Sequence, residues 1–381
     1  MSTFCRLLIV SLLLVALFVS GCSDLFEDES PEGIELVDEV WKLIHDDYVD
    51  SDQLDDQELA EAAIKGLIEA IGDPHTSYLS PQQSEISRID LEGEFIGIGA
   101  TITIREGRLS VVAPIAGSPA EQAGIRPGDK ILEIDGESTE GMSLTDALLA
   151  LRGDEGAKVN LLVLHVDDDD PVDIVATRAK IEIPSVVLEI LPEDFAHISV
   201  TNFSGRTGSE LESAIEEVSS QGASGIVLDL RNNPGGLVSA AVDVVSQFMD
   251  DGVVVYALDN EGDRSEWSVD EGGLALDTHL VVLVNAYSAS VSEVVAGALQ
   301  DYDRGIIIGT TTYGKGSMQH VQDLTNGGML RVTFARWFTP NGRQIDDKGI
   351  VPDIEVEITA DDFANDRDPQ LERAVEYLSG M

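Results

Sequence analysis

Asn285-Ala-Tyr-Ser-Ala-Ser290-Val-Ser-Glu293 opens an apolar helix pattern, and the chain then passes Gly305-Ile-Ile-Ile-Gly309 to reach Tyr313-Gly314-Lys315-Gly316-Ser317-Met318-Gln319. A hydroxyl thus stands at a helix start, and a lysine between two glycines follows one strand later. Serine alone is a weak nucleophile and needs a base. A lysine deprived of water can be that base, because desolvation disfavours its charged form. The segment supplies both halves of a Ser–Lys site. Upstream, Gly225-Ile-Val-Leu-Asp-Leu-Arg231 and Leu280-Val-Val-Leu-Val284 are continuous apolar runs, as strands buried on both faces require. Ala196 to Phe203 reads as a further strand. Helical patterns cover Gly208 to Gln221, with Leu211, Ile215 and Val218 inward, and Leu237 to Met249. This alternation predicts an α/β core with helices packed on a sheet. Catalysis is expected where strands end, at Asn232–Gly236 and Ala286–Ser290.

Each candidate has a plainer reading. Ser290-Val-Ser-Glu293 fits a capping box for a helix with Val291, Val294, Val295 and Ala298 on one face. The two roles can coexist, because a helix N-terminus favours the negative charge that develops on a hydroxyl. Gly309-Thr-Thr-Thr-Tyr-Gly314-Lys315 has the spacing of a phosphate loop. Gly316 stands where a Ser or Thr would hold magnesium, and Met318 to Leu324 alternates like a strand. The chain has only seven lysines, and glycines flank this one, which argues against a purely solubilising role. Asn232-Asn-Pro-Gly235-Gly236 suits a tight turn, yet it also presents backbone N–H groups without side chains, as an oxyanion hole needs. No Gly-x-Ser-x-Gly elbow occurs, and the six histidines are scattered. His75, in Asp73-Pro-His-Thr-Ser-Tyr-Leu-Ser-Pro81, reads as a turn residue. Gln319 follows Lys315 by four positions, and from an extended strand it could hydrogen-bond the amine.

At the N-terminus, Arg6 and the apolar run Leu7 to Val19 have the form of a secretory signal, ending Val19-Ser20-Gly21-Cys22. That ending resembles the lipobox of bacterial lipoproteins, with Cys22 as the lipid-bearing residue; a plain signal peptide is the alternative. The expected organisation is a signal over 1–21, an acidic tether over 22–33 and a helical region over 34–90. In that region Leu36, Val37, Val40, Trp41 and Ile44 share one helix face, and Leu59, Ala63, Leu67 and Ile71 share another. Residues 91–179 form a β-rich unit, 180–358 the α/β core and 359–381 a C-terminal tail or helix.

The β-rich unit carries Phe95-Ile-Gly97-Ile98-Gly99-Ala100, Gly117-Ser-Pro-Ala-Glu-Gln-Ala-Gly124, Lys130-Ile-Leu-Glu-Ile-Asp-Gly136 and a helix capped by Ser143. This order resembles a PDZ domain. In that family a glycine-rich loop offers backbone N–H groups to a peptide carboxylate, and the peptide adds a strand beside it. Gly97, Ile98, Gly99 and Ala100 match the loop, or are a turn that needs glycine. Arg152, after the groove helix, either links the groove to the core or is a solvated helix end. Asp167 to Asp170 lack the spaced ligands of a calcium loop and read as a hairpin tip.

Asp and Glu number 71 against 23 Lys and Arg, for a formal net charge of −48. Such a surface repels nucleic acid and anionic headgroups. It suits high salt, where counterions screen carboxylate repulsion; an acidic protein in ordinary salt is the alternative.

Taken together, Asp73-Pro-His-Thr-Ser-Tyr-Leu79, the PDZ-like unit, Asp229-Leu-Arg-Asn-Asn-Pro-Gly-Gly236, the Ser290 segment, Gly314-Lys-Gly-Ser-Met-Gln319, Phe338-Thr-Pro-Asn-Gly-Arg343 and Gly349-Ile-Val-Pro-Asp-Ile354 resemble the carboxy-terminal processing proteases, also called tail-specific proteases. The resemblance implies a mixed-sheet α/β core of the ClpP/crotonase type with an inserted PDZ-like domain, and no cofactor or metal. It implies Ser290 as nucleophile, Lys315 as general base, Gln319 orienting Lys315, and Gly235, Gly236 and the Val291 N–H as oxyanion hole. The family usually has Ala where Val291 stands, which bears on substrate preference more than on activity. The implied enzyme is an exported, membrane-anchored serine endopeptidase facing the periplasm or cell exterior. Its implied partners are flexible protein tails with apolar C-termini, with a homo-oligomer or adaptor left open. A non-catalytic tail-binding holdase is the competing reading.

Overall fold

The computed structural model describes residues 32–380 except 106, 167 and 193. The signal, Cys22 and all but the end of the tether lie outside the described residues, as does Asp167. No helix among the described residues is long and apolar enough to cross a membrane. The chain forms two compact units, divided after Ile64.

In the first unit, helix Glu32–Asp47 is followed by a short turn of 3-10 helix and the start of helix Asp56–Ile71. His45 stacks on Trp41 at 5.1 Å and meets Asp56 Oδ1 at 2.7 Å. The apolar stripe predicted from periodicity is real, but Leu36, Val37, Val40 and Ile44 stay exposed.

The second unit is built on a six-stranded sheet in the order Val186–Ile190, Phe195–Val200, Gly225–Asp229, His279–Val284, Ile306–Gly309, Ile354–Glu355. The first pair is antiparallel and the rest parallel. Side chains alternate between two packed faces, as the strand period demands. Ile226, Leu228 and Val282 meet Leu211, Ile215, Val244 and Val295 of helices Thr207–Gln221, Val238–Ser246 and Val291–Asp301. Val227, Val281 and Leu283 meet Ala374 and Leu378 of the C-terminal helix Pro369–Ser379. Both faces being covered explains why these strands read as unbroken apolar runs.

A second sheet was not visible in the sequence. It runs Ser77–Leu79, Met329–Phe338, Val253–Asp259, Arg264–Ser268, and Ser317–Asp323 also pairs with Met329–Phe338. The stretch after Asp73, read from the sequence as a turn, thus contributes a strand. Ser77 lies opposite Arg331 and Leu79 opposite Met329.

The PDZ-like barrel orders its strands Ala100–Arg105, Arg108–Pro114, Lys130–Ile134, Lys158–Leu164, Val172–Thr177, with Glu137–Ser138 on Lys130–Ile134. It has its own core, including Leu109, Ile131, Val159, Leu161, Ala147 and Leu151. Antiparallel strands Glu94–Gly97 and Ala179–Glu182 form a two-stranded ribbon carrying the chain in and out. The Asp-rich run follows Lys158–Leu164 and precedes its hairpin partner Val172–Thr177.

Candidate active site

Two loops at the C-terminal ends of adjacent parallel strands face one another. Strand Gly225–Asp229 runs into Leu230–Gly236, and strand His279–Val284 runs into Asn285–Ser290. The Asn233 carbonyl accepts from the Ala289 N–H at 3.0 Å and from the Ser292 hydroxyl at 2.9 Å. Asn233 Nδ2 donates to the Val200 carbonyl at 2.8 Å. The Ser288 hydroxyl donates to the Leu230 carbonyl at 2.8 Å. Asn232 and Asn285 bond reciprocally, at 3.0 and 2.9 Å. Asn233, Ser288 and Ser292 are fully buried, where a broken polar contact is costly.

Glu293, three residues after Ser290, reaches back to its N–H as in a capping box, and Ser290 has φ 57° and ψ −114°. For a non-glycine residue this is strained backbone, of the kind that surrounding structure must enforce. It is a strand–turn–helix elbow without the elbow's sequence motif. The glycine that allows close approach comes from the neighbouring loop. A Cβ on Gly235 would lie 2.9 Å from both Ser290 Cβ and the Ala289 carbonyl oxygen. Gly236 has φ 148°, and a Cβ there would sit 2.1 Å from the Phe203 carbonyl oxygen.

The two glycines differ as donors. The Gly235 N–H donates to Asn233 Oδ1 at 2.9 Å. Among the described residues the Gly236 and Val291 N–H groups make no hydrogen bond, which leaves them open to an anion. The Gly235–Gly236 pair expected from sequence therefore contributes one open donor, Gly236, and one spacer, Gly235.

Glu293 is fully buried and joins the Ser290 elbow to the Lys315 loop. Its Oε2 accepts from the Ser290 N–H at 2.7 Å and from the Lys315 N–H at 2.9 Å. Its Oε1 accepts from the Thr312 hydroxyl and the Gly314 N–H, both at 2.6 Å. Two backbone nitrogens on one oxygen can be no further apart than those two bonds laid end to end. Burial pushes the Glu293 carboxyl above its ordinary range, and its four donors pull against that. The sequence offered Glu293 only as a helix-capping residue.

The Lys315 amine makes no hydrogen bond among the described residues, to Ser290 or to Gln319. Its pKa is lowered by burial first and then by the Arg331 charge, with Glu293 opposing. Gln319 Nε2 donates to Ser317 Oγ at 2.8 Å and to Thr333 Oγ1 at 3.2 Å. A bulge between Met318 and Gln319 sets that register.

In the PDZ-like unit, the Ile98 carbonyl accepts from the Ala120 N–H at 2.8 Å and the Gly99 carbonyl from the Ile115 N–H at 2.9 Å. The Ile98 and Gly99 N–H groups make no hydrogen bond among the described residues. They lead into Ala100–Arg105, an edge strand that contacts helix Leu144–Leu151. Arg152 caps that helix, and its guanidinium lies 5.1 Å from the Phe95 ring centre in the ribbon. It shares a cleft with Glu85 and Glu92 of helix Pro81–Glu92 and with Glu94 and Lys180 of the ribbon.

Three family matches follow the chain: the CtpB N-terminal domain of an activating protease over residues 22–83, a PDZ domain over 110–164 and peptidase family S41 over 194–356. The carboxy-terminal processing protease CtpA of Bacillus subtilis (strain 168) is 33% identical over 96% of this chain and 78% of its own length. The carboxyl-terminal-processing protease of Synechocystis sp. (strain PCC 6803) is 35% identical over 89% of this chain and 81% of its own. Among solved structures, the photosystem II D1 C-terminal processing protease is similar with a TM-score of 0.50 at 32% identity, covering 86% of this chain and 94% of that one. On these grounds the chain belongs to the carboxy-terminal processing proteases, serine peptidases of family S41 that carry a PDZ domain.

Proposed function

We propose that Ser290 is the nucleophile and neutral Lys315 the general base of a Ser–Lys peptidase. The supporting observation is the Glu293 oxygen that accepts from both residues' backbone N–H groups while the half-buried lysine amine stays open. In the first step Lys315 Nζ takes the Ser290 proton as Oγ bonds to the substrate carbonyl carbon. The oxyanion then accepts from the Val291 and Gly236 N–H groups. Collapse breaks the peptide bond, and the leaving amine takes the proton from Lys315. Water repeats the sequence and frees the acyl group. Gln319 orients the lysine.

The open N–H groups of Ile98 and Gly99 support a PDZ groove that receives the carboxylate of an apolar tail, with the tail adding a strand to Ala100–Arg105. Incubating a flexible, apolar-tailed protein with wild type, Ser290→Ala and Lys315→Ala tests the reading. Cleavage by wild type alone, with tail binding kept in both variants, is expected. Cleavage by Lys315→Ala would overturn the lysine assignment.

Cys22 supports export and lipid anchoring, so Cys22→Ala should move the protein from the membrane fraction to the soluble one. The carboxylate excess supports work in high salt. Unfolding midpoints should rise from dilute to molar salt.

A further inference from the structure

In the loops that carry Ser290 and Lys315, Ser288, Ala289, Thr312 and Gly314 are buried, whereas Tyr287 is 70% exposed and Tyr313 62%. Among the described residues no other aromatic side chain is as exposed. Neither ring stacks on another or meets a cation there, and neither hydroxyl makes a hydrogen bond. The other tyrosines of the second unit are tied into the fold. The Tyr78 hydroxyl accepts from Asn326 Nδ2 and the Tyr302 hydroxyl from the Val253 N–H, both at 2.9 Å. Tyr256 stacks on Phe338, and Tyr377 packs against the core beneath the C-terminal helix.

A lone exposed tyrosine is ordinary, but these two are joined. The Tyr313 N–H donates to the Ser288 carbonyl at 3.0 Å, and Ser288 follows Tyr287. That bond and the covalent links, laid end to end, put the two Cα atoms no more than about 11 Å apart. The backbone behind each ring is fixed. The Tyr287 N–H donates to Asn285 Oδ1 at 3.0 Å, and the Ser288 hydroxyl donates to the Leu230 carbonyl. Thr312 bonds Ile350 through its N–H at 3.1 Å and its hydroxyl oxygen at 2.7 Å, and the Gly314 N–H donates to Glu293.

The pair also stands beside the path of a substrate. Tyr287 precedes Ser290 by three residues, and Tyr313 precedes Lys315 by two. An extended peptide advances about 3.3 Å per residue. A chain whose scissile carbonyl is held at Ser290 therefore brings its neighbouring residues within reach of rings based at these positions. Rings on a fixed backbone offer a large contact area for little loss of side-chain freedom. They meet apolar and aromatic groups through face and edge. We propose that Tyr287 and Tyr313 are specificity-determining residues, a two-ring rim that takes a large apolar or aromatic side chain of the substrate beside the bond being cut. This deepens the Ser290–Lys315 reading and rests on it. The groove of the PDZ-like unit would select the terminus, and the rings the segment that is cleaved.

The test uses peptides with one constant apolar tail and a flexible, serine-rich segment around the cleaved bond. Phe or Leu replaces serine at one position at a time, through the three residues on each side. Wild type should favour the Phe peptide over the serine peptide by about tenfold in kcat/KM at one or two positions, with Leu between. Tyr287→Ala and Tyr313→Ala should each cut that ratio to about threefold or less, and the double variant to about one. Tyr287→Phe and Tyr313→Phe should keep it, because the ring and not the hydroxyl makes the contact. A ratio unchanged in the double alanine variant overturns the rim, as does a wild type without preference at any position. If an alanine variant melts early, Tyr287→Gln and Tyr313→Gln, which fill space without a ring, carry the same test. If the double variant keeps the preference but changes the sedimentation of the protein, the rings belong to a contact between copies and the rim is overturned. Lys315→Ala separates the two readings. If it still cleaves, the lysine assignment fails. If it is dead while the double alanine variant keeps the Phe preference, only the rim fails.

Discussion

Around Ser290 the loops are pinned by buried side chains. Asn233, Ser288, Ser292 and Glu293 engage backbone groups of segments far apart in sequence. Around Ile98 and Gly99 the carbonyls are pinned but the N–H groups are open, and the adjoining strand has an unpaired edge. The first region is organised before substrate arrives, as a site that must stabilise a brief charge should be. The second is an unfinished sheet that a peptide can complete. On the proposed reading, chemistry and addressing rest on opposite uses of the same backbone groups.

Variants on each side pull the two regions apart. Ser290→Ala should lower cleavage by about four orders of magnitude or more, with tail-peptide affinity unchanged by calorimetry. A matching loss of affinity would mean the two regions are not separable. Gly235→Ala should lower kcat by about 100-fold, because its methyl would press on Ser290 Cβ and the Ala289 carbonyl. Glu293→Gln should destabilise the fold by about 2 kcal/mol or more, since whichever oxygen becomes NH2 has two bonded donors in front of it; denaturant melts measure this. Gly99→Ala belongs to the other region. At φ +72°, its Cβ would lie 2.5 Å from Ser118 Cβ, so KM for tail-bearing substrate should rise about tenfold, with kcat for a tailless peptide unchanged. The pH profile gives the subtlest signal. Burial lowers the Lys315 pKa, so cleavage should decline as pH falls through a value below the ordinary lysine range. A flat profile into mild acid would remove lysine as base.

The parts of the molecule written in local pattern were legible. The strand Gly225–Asp229 and the helix after Ser290 follow from periodicity and from burial on two faces. That Ser290 and Lys315 stand on neighbouring loops was legible from strand order, and Glu293 accepts from both backbone N–H groups. The second sheet was not legible, because Met329–Phe338 gains its meaning from partners as distant as Ser77 and Val253. Glu293 was half legible. Its position three residues after Ser290 marked a cap, but nothing local could reveal that Thr312, Gly314 and Lys315 would converge on it. The strained elbow was hidden for a similar reason. Its usual glycines are absent from the local sequence, and Gly235 supplies the clearance from another loop. Arg152, expected either to link the groove to the core or to be a solvated helix end, ends the groove helix beside Phe95 and lines a cleft with Glu85 and Glu92.

The ribbon that carries the PDZ-like barrel has a consequence for how such enzymes are assembled. Gly97 and Ala179 sit opposite each other in its register. The chain thus leaves the catalytic body and returns to it at a single pair of facing residues. Everything between them could be replaced by a tight hairpin, or by an unrelated recognition module with neighbouring termini, without re-threading the body. The peptidase would keep its machinery and change its clientele, so that the address label becomes the exchangeable part of the design.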